Sequence, residues 1–390
     1  MSKRLTAPAA GLPEEIARHI FDIDPLCKEK TSMARSTSGA RIALRIAILA
    51  TFAATLLAVP RLSASAHPTL ASSHWTIGIS NNTVGNGWRD EMVCSIRAEN
   101  QHSGKATTVI QQGNGDTSTQ IAQVRNLISQ HVNAIILDPN STAMASVIQQ
   151  AASRGIVVVV VDQFIPSLFG KKNIYEAAND QRAYGRVGMQ WLVSQLHGKG
   201  NIALLEGIAG APANTAREQG QQDVLKKYPN IKVVAKVDTN WDYTVGAQKM
   251  TQLLNSGKKI DGVWTSGIDY TVVNAYRTAH RKFVPIVGAD NNAFVHQLVT
   301  MKKQGLVGAA VTNPPPIGGV GASIALRALA GQNPPKVVTL TPTVWSNTNQ
   351  QGLSQLRSHY LPSQGPTYGA DWIVKPYANY TKQELFSCNG

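Results

Sequence analysis

From Trp75 onward the chain alternates short β-branched runs with longer amphipathic stretches, the pattern of repeated strand–helix units that assemble into a parallel sheet. The runs 76–80 (TIGIS), 105–111 (KATTVIQ), 133–137 (NAIIL), 156–161 (IVVVVV) and 173–177 (NIYEA) are predicted strands. A second series follows at 201–205, 231–237, 260–264, 284–288 and 306–311. The valines at 157–161 predict a strand covered on both faces, because only a sheet flanked by helices on both sides tolerates so continuous an apolar run. Residues 118–130 place Ile121, Val124, Leu127 and Ile128 on one helical face, and similar stripes run through 141–153, 183–196, 215–227, 244–255, 269–280 and 317–330. So many units exceed one sheet of usual width, so the two series predict two similar lobes, with a boundary near Asn179-Asp180. Residues 345–390 lose the rhythm and read as a C-terminal extension that wraps a lobe or the hinge.

Ahead of this pattern stands a different one. Residues 46–59 form an uncharged apolar run, preceded by Arg41 and Arg45 and followed by Ser63-Ala64-Ser65-Ala66. That is the order of a secretory signal, with cleavage expected after Ala66. The run is short for a transmembrane helix, which needs about 20 residues. Five acids before Met33 (Glu14, Glu15, Asp22, Asp24, Glu29) do not fit an export signal, so translation is expected to start at Met33. No cysteine stands at the end of the run to accept a lipid, and the mature chain is expected free in the periplasm.

Composition narrows the class further. The 390 residues, 43% hydrophobic with 32 Gly and 19 Pro, exclude wholesale disorder and a multi-span membrane chain. The net charge of +14 suggests nucleic acid at first sight, but the basic residues occur as scattered doublets such as Lys171-Lys172 and Lys302-Lys303, without a block of like charge. Removal of residues 1–66 leaves +10, from 28 basic and 18 acidic residues. The place where a helix-turn-helix would precede the first strand is taken by the signal-like segment, so no nucleic-acid partner is expected.

In open α/β sheets ligands bind beyond the carboxyl ends of the strands. The residues there include Asn81, Asn82, Asn86, Trp88, Arg89, Asp138, Asp162, Gln163, Glu206, Arg217, Asp238, Trp241, Gly267, Asp269, Asp290, Asn291 and Asn313. Singly, an Asp or Asn after a strand is an ordinary helix cap. Together with two tryptophans in a chain only 6% aromatic, they suit a polyhydroxylated ligand: carboxylates and amides engage hydroxyls, Arg offers a donor fork, and an indole packs on C–H faces. No nucleophile elbow, phosphate-binding loop or HExxH occurs, and the nine His have no ligand spacing; no catalytic residue, cofactor or metal is expected.

The segments ILDPNSTAMASVIQQAASRGIVVVVVD (136–162), LLEGIAGAPANTAREQG (204–220) and VGADNNAF (287–294) resemble periplasmic sugar-binding proteins of the ribose type, the solute receptors of ABC importers. NGWR (86–89) is similar to the galactofuranose-binding branch. The resemblance runs from about Trp75 to about Pro342. It implies a type I periplasmic binding protein fold: two doubly wound parallel-sheet lobes joined by a multi-strand hinge. Residues 67–179 and 314–342 would form the N-terminal lobe, 180–313 the C-terminal lobe, and 343–390 an extension on hinge or lobe.

Carried over, it implies that Trp88 stacks on a sugar while Asn86 and Arg89 bond its hydroxyls, and that Asp162 takes two hydroxyls. From the second lobe Arg217 would reach the ring oxygen and a hydroxyl, Trp241 the opposing face, and Asp290 further hydroxyls, with Asn313 at a hinge crossing. Two positions depart from the family: Gln163 stands where Arg is common, and Gly267-Ile268-Asp269 replaces an Asn-Asp pair. A furanose, a polyol or a less common sugar is therefore as open as a familiar pentose or hexose, and an anionic ligand also stays open. The implied partner is a membrane permease served by a monomeric receptor; a sensory subunit for a kinase or chemoreceptor is the alternative.

Cys94 and Cys388 are the thiols left after export. In an oxidising compartment an even pair suggests a disulfide tying the extension to the first lobe; one buried thiol and one free tail is the other reading.

Overall fold

The computed structural model describes residues 74–81, 83–113 and 116–389. The signal-like segment, Met33, the cleavage site after Ala66 and Asn82 lie outside the described residues. The first lobe begins with β1 (Trp75–Asn81), α1 (Gly87–Ser103), β2 (Ala106–Gln112), α2 (Thr117–Ser129), β3 (Ala134–Leu137), α3 (Ala145–Ser153), β4 (Val157–Asp162) and β5 (Ile174–Asn179). The second lobe follows with α4 (Gln181–Gln195), β6 (Gly200–Glu206), α5 (Pro212–Leu225), β7 (Ile231–Asp238), α6 (Tyr243–Asn255), β8 (Gly262–Thr265), α7 (Asp269–Thr278), β9 (Ile286–Ala289), α8 (Asn292–Thr300) and β10 (Gly308–Val311). Then come α9 (Ile317–Leu329), β11 (Val337–Leu340), β12 (Val344–Ser346), α10 (Gln350–His359) and α11 (Lys382–Phe386).

The strands form two six-stranded sheets, β11-β5-β4-β3-β1-β2 and β12-β10-β9-β8-β6-β7. The first five strands of each series are arranged alike, and the ten predicted strands fall within two residues of those observed. The edges differ: β11 runs parallel to β5, whereas β12 runs antiparallel to β10. Every residue of β4 is buried, with Val157, Val159 and Val161 in the core beneath α1 and α9 and Val158 and Val160 in the core beneath α2 and α3. Alternation along one strand thus serves both faces of the first sheet.

The chain passes between the lobes after Asn179, around Thr312–Pro316, between Leu340 and Val344, and again after α10. The C-terminal extension is more structured than its sequence suggests. Here β12 and α10 join the second lobe, and α11 packs on α1 of the first. The physical reason this went unread is that α10 turns only Leu353 and Leu356 inward as apolar side chains, too few to set a period. Cys94 and Cys388 are bridged, with Cα atoms 5.4 Å apart.

One close approach sets the stage for the site. In α4 and α5 the backbones nearly touch: a Cβ on Gly185 would collide with the Arg217 carbonyl, and one on Gly220 with the Arg182 carbonyl. Glycine there lets α5 lie low enough to place the Arg217 guanidinium 4.2 Å from the Tyr184 ring centroid.

Candidate functional site

The carboxyl ends of both sheets face one cavity between the lobes. From the first lobe it is lined by Asn86, Trp88, Arg89, Asp162 and Gln163, and from the second by Arg217, Asn240, Trp241, Tyr243, Ser266, Asp290 and Asn291; Asn313 lines it at the hinge.

On the first wall, Asn86 caps α1. Its Oδ1 accepts the Trp88 N–H at 3.0 Å, and its Nδ2 donates across the cleft to the Trp241 carbonyl at 3.4 Å. The Trp88 indole N–H donates to the Asn313 carbonyl at 2.7 Å, which fixes the ring against the hinge. Arg89 lies 2.6 Å from the fully buried Asp138 carboxylate. Burial pushes the Asp138 carboxyl up to about 7, against the pull of Arg89. Asp162 ends β4 with φ of 67°, in the left-handed region where a non-glycine residue is strained. That turn lets its Oδ1 accept from Asn179 Nδ2 at 2.8 Å and Gln181 Nε2 at 2.9 Å. Burial raises the Asp162 pKa, and the Arg217 charge opposes the rise.

Gln163 bonds both lobes. Its Nε2 donates to the Asp138 carboxylate and the Pro139 carbonyl, and its Oε1 accepts the Ala213 N–H at 2.8 Å. Helix α5 starts at Pro212 behind Ala211, which has no side-chain acceptor. A residue of the opposite lobe thus supplies the acceptor that a helix amino end needs.

On the second wall, Arg217 donates from Nε to Gln181 Oε1 at 2.7 Å and from Nη1 to Ser266 Oγ at 2.9 Å and the Ser266 carbonyl at 3.2 Å. Trp241 has φ of 53°, donates its indole N–H to Ser266 Oγ at 3.2 Å, and covers the Cα of Gly207, where a Cβ would strike the ring. Asp290 accepts the Asn313 N–H at 3.0 Å and the Asp371 N–H at 3.3 Å. Burial, then the Asp371 charge, push its pKa up to about 7.

Asp269 is not among the residues lining the cavity. Fully buried, it accepts from Thr265 Oγ, from the Ala289 N–H at 3.0 Å and from Asn291 Nδ2. Its position at the start of α7 turns it beneath the wall, where it orients Asn291. Burial pushes its pKa up to about 8.

Sequence reasoning missed Gln181 and Asn179, which hold Asp162, and Ser266, which holds both Arg217 and Trp241. Ser266 occupies the strand-end position that marks the others, after β8, and was legible there. Thr367 and Gly369 also line the cavity. They come from the extension, where no pattern pointed to them. Among the described residues no cluster of His, Cys, Asp and Glu could hold a metal ion, and no helix is long and apolar enough to cross a membrane.

Residues 77–333 match the periplasmic binding protein domain. The chain belongs to that family. Relatives of the chain include sugar- and polyol-binding proteins, and a structural neighbour is the fructose-binding periplasmic domain of a hybrid two-component system. Among relatives, the chain is 38% identical over 183 residues to a xylitol-binding protein of Mycolicibacterium smegmatis, covering 45% of this chain and 51% of that one. It therefore spans about half the length of that relative. It is 25% identical over 268 residues to the ribose import binding protein RbsB of Bacillus subtilis, covering 68% and 85%. Among solved structures, the periplasmic binding protein of the arabinose ABC transporter from Shewanella sp. ANA-3, bound to α- and β-L-arabinofuranose, superposes with a TM-score of 0.65 at 26% identity, covering 73% of this chain and 95% of that one. The two six-stranded lobes are thus those of a type I periplasmic binding protein.

Proposed function

We propose that this family member captures one sugar or polyol between its closing lobes and delivers it to the permease of an ABC importer. The observation that carries the reading is the convergence, in one interlobe cavity, of Asp162, Asp290, Arg89 and Arg217 with Trp88 and Trp241. Carboxylates accept from vicinal hydroxyls, guanidinium groups donate, and indole faces suit C–H surfaces. The named relatives, which bind xylitol, ribose and arabinofuranose, support a small neutral ligand of this class.

Gln163 sharpens the reading. Both ends of its amide are engaged by protein groups, so it acts as a support and leaves the first wall one donor poorer than a family member with Arg there. A ligand smaller than a hexose, such as a pentitol or a pentofuranose, matches that wall. In the ligand-bound state both walls contact the same molecule, and the liganded, closed form is the one a permease would recognise. The mature protein would be a periplasmic monomer beginning at His67, after export directed by residues 33–66; amino-terminal sequencing of the exported protein tests that point.

A thermal-shift screen over pentitols, pentoses, hexoses, furanosides and acidic sugars tests the ligand class, because a ligand that binds only the folded state raises its stability by mass action. Stabilisation by pentitols or pentoses that calorimetry confirms as one-to-one binding is the expected result. Stabilisation by acidic sugars alone, or by none of the panel, would overturn the reading.

A further inference from the structure

After α10 the chain returns across the cleft mouth as residues 361–371 before it reaches the first lobe. This segment is bound to the starts of two helices, in part by N–H groups that a helix amino end leaves without partners. At α8 of the second lobe, the Tyr368 carbonyl accepts the Asn292 N–H at 2.8 Å and the Pro366 carbonyl accepts the Ala293 N–H at 3.0 Å. The Asn292 side chain adds a bond to the Leu361 carbonyl at 2.8 Å and accepts the Leu361 N–H at 2.9 Å. At α1 of the first lobe, Thr367 Oγ accepts the Gly87 N–H at 3.0 Å, and the Gly369 N–H donates to Glu91 Oε2 at 2.8 Å. The fit is close at both glycines: a Cβ on Gly87 would strike Thr367, and one on Gly369 would strike Pro315. Beyond the segment, Asn379 bonds Glu99 and the Cys94–Cys388 bridge fastens the tail to α1.

We infer that residues 361–371 are a strap forming a third wall of the ligand cavity, and that Thr367 is a specificity-determining residue which limits the occupant to one small, unsubstituted polyol or monosaccharide. The inference rests on the sugar-binding reading of the cavity. Thr367 and Gly369 line that cavity while the strap spans from one lobe to the other. The Thr367 hydroxyl accepts from Gly87 and keeps its own proton, which no acceptor among the described residues takes; it can be given to a ligand oxygen. A substituent projecting from the ligand toward the strap meets a backbone held by two helix ends and a covalent bridge. A glycoside or oligosaccharide is therefore excluded on that side, as specificity by obstruction requires.

The test titrates wild-type protein, Thr367→Ala and Thr367→Ser calorimetrically with xylitol, D-ribose, L-arabinose, methyl β-D-ribofuranoside and methyl α-L-arabinofuranoside. Wild-type protein is expected to bind at least one free polyol or sugar, and the methyl glycoside at least about tenfold more weakly than its parent. Thr367→Ala is expected to weaken the parent by about tenfold while narrowing the gap to the glycoside, and Thr367→Ser to restore wild-type affinity. An unchanged ratio of glycoside to parent in Thr367→Ala would overturn the specificity role, since loss of the Gly87 cap alone weakens both alike. If wild-type protein binds none of these probes, the sugar reading fails, and the strap is judged by hydrogen exchange in the full chain. Cys94→Ser with Cys388→Ser is expected to speed exchange at residues 87–93 and 292–293; unchanged exchange there would overturn the strap.

Discussion

On the first wall of the cleft the buried arginine, Arg89, lies 2.6 Å from a carboxylate, Asp138, whereas on the second wall Arg217 is held by Gln181 and Ser266. Among the described residues no carboxylate comes within ion-pair distance of Arg217. The carboxylates of the second wall are likewise held by neutral groups, Asp290 by backbone N–H groups and Asp269 by Asn291 and Ala289. A buried charge that already has a partner mainly fixes the fold around it. One held by neutral dipoles retains attraction for a ligand oxygen, and the aromatic faces of Tyr184 and Trp241 shelter it from water. The two arginines, alike in the sequence, are thus expected to fail differently when removed.

The largest effect is expected at Arg217. Arg217→Ala should lower ligand affinity by about 2–5 kcal/mol, roughly 30-fold to several thousandfold, because it strips donors from a desolvated site and removes the charge that most opposes the rise in the Asp162 pKa. Calorimetry with the ligand found by screening measures it, and the melting temperature should move less. Unchanged affinity would remove Arg217 from the site.

Arg89→Ala should show the reverse balance. Asp138 then remains buried without its cation, and the variant is expected to lose about 1–3 kcal/mol of folding stability, read as a lower denaturant midpoint at pH 7.5. Because burial already holds the Asp138 pKa near 7, lowering the pH to 6 should recover part of the loss by neutralising the carboxyl. A variant that keeps wild-type stability but loses all binding would erase the distinction between the walls.

Gln163→Ala sharpens the comparison at the point where the walls meet. It removes the acceptor for the first free N–H of α5, and a lost helix-end bond costs about 1 kcal/mol. Since that bond joins the lobes, the cost falls on the closed form, and affinity should drop about fivefold with small-angle scattering shifted toward a more open ligand-free molecule. A loss of stability with no change in affinity or opening would make Gln163 a local support only.

The core of this arrangement was legible because parallel strands buried on both faces leave an uninterrupted apolar signal, as in Val157–Val161, and because strand ends mark where a ligand site must lie. Asp162, Gln163 and Asp290 follow that rule, whereas Arg217 reaches the cavity from within the helix that follows β6. Asp269 follows it too, yet its helix starts a step too early, and the side chain turns under the wall; position after a strand does not fix direction. The strap was illegible for a different reason. Its bonds are made by backbone groups and one threonine to two helices that lie 69 and 280 residues away along the chain, and backbone groups leave no trace in side-chain chemistry. Pairing of Cys94 with Cys388 was the one hint that the tail returns to the first lobe, and it did not show what the intervening residues cover.

A last expected effect concerns the buried carboxylates on and beneath the second wall, which hydrogen bonds hold without a facing cation. Burial holds Asp269 up to about 8 and Asp290 up to about 7, while an exposed Asp in the unfolded chain loses its proton near 4. Between those values the folded state binds more protons than the unfolded one. Stability from these groups is therefore fully present at low pH and is lost as pH rises toward 8. Asp138, Glu176 and Glu206, each raised to about 7 by burial, act in the same direction. Scanning calorimetry of the ligand-free protein should give a lower melting temperature at pH 8 than at pH 5.5. Asp269→Asn should flatten that slope, because an amide does not titrate. A melting temperature that rises between pH 5.5 and pH 8 would mean that these carboxylates are ionised and compensated in the native state, and that the second wall resembles the first after all.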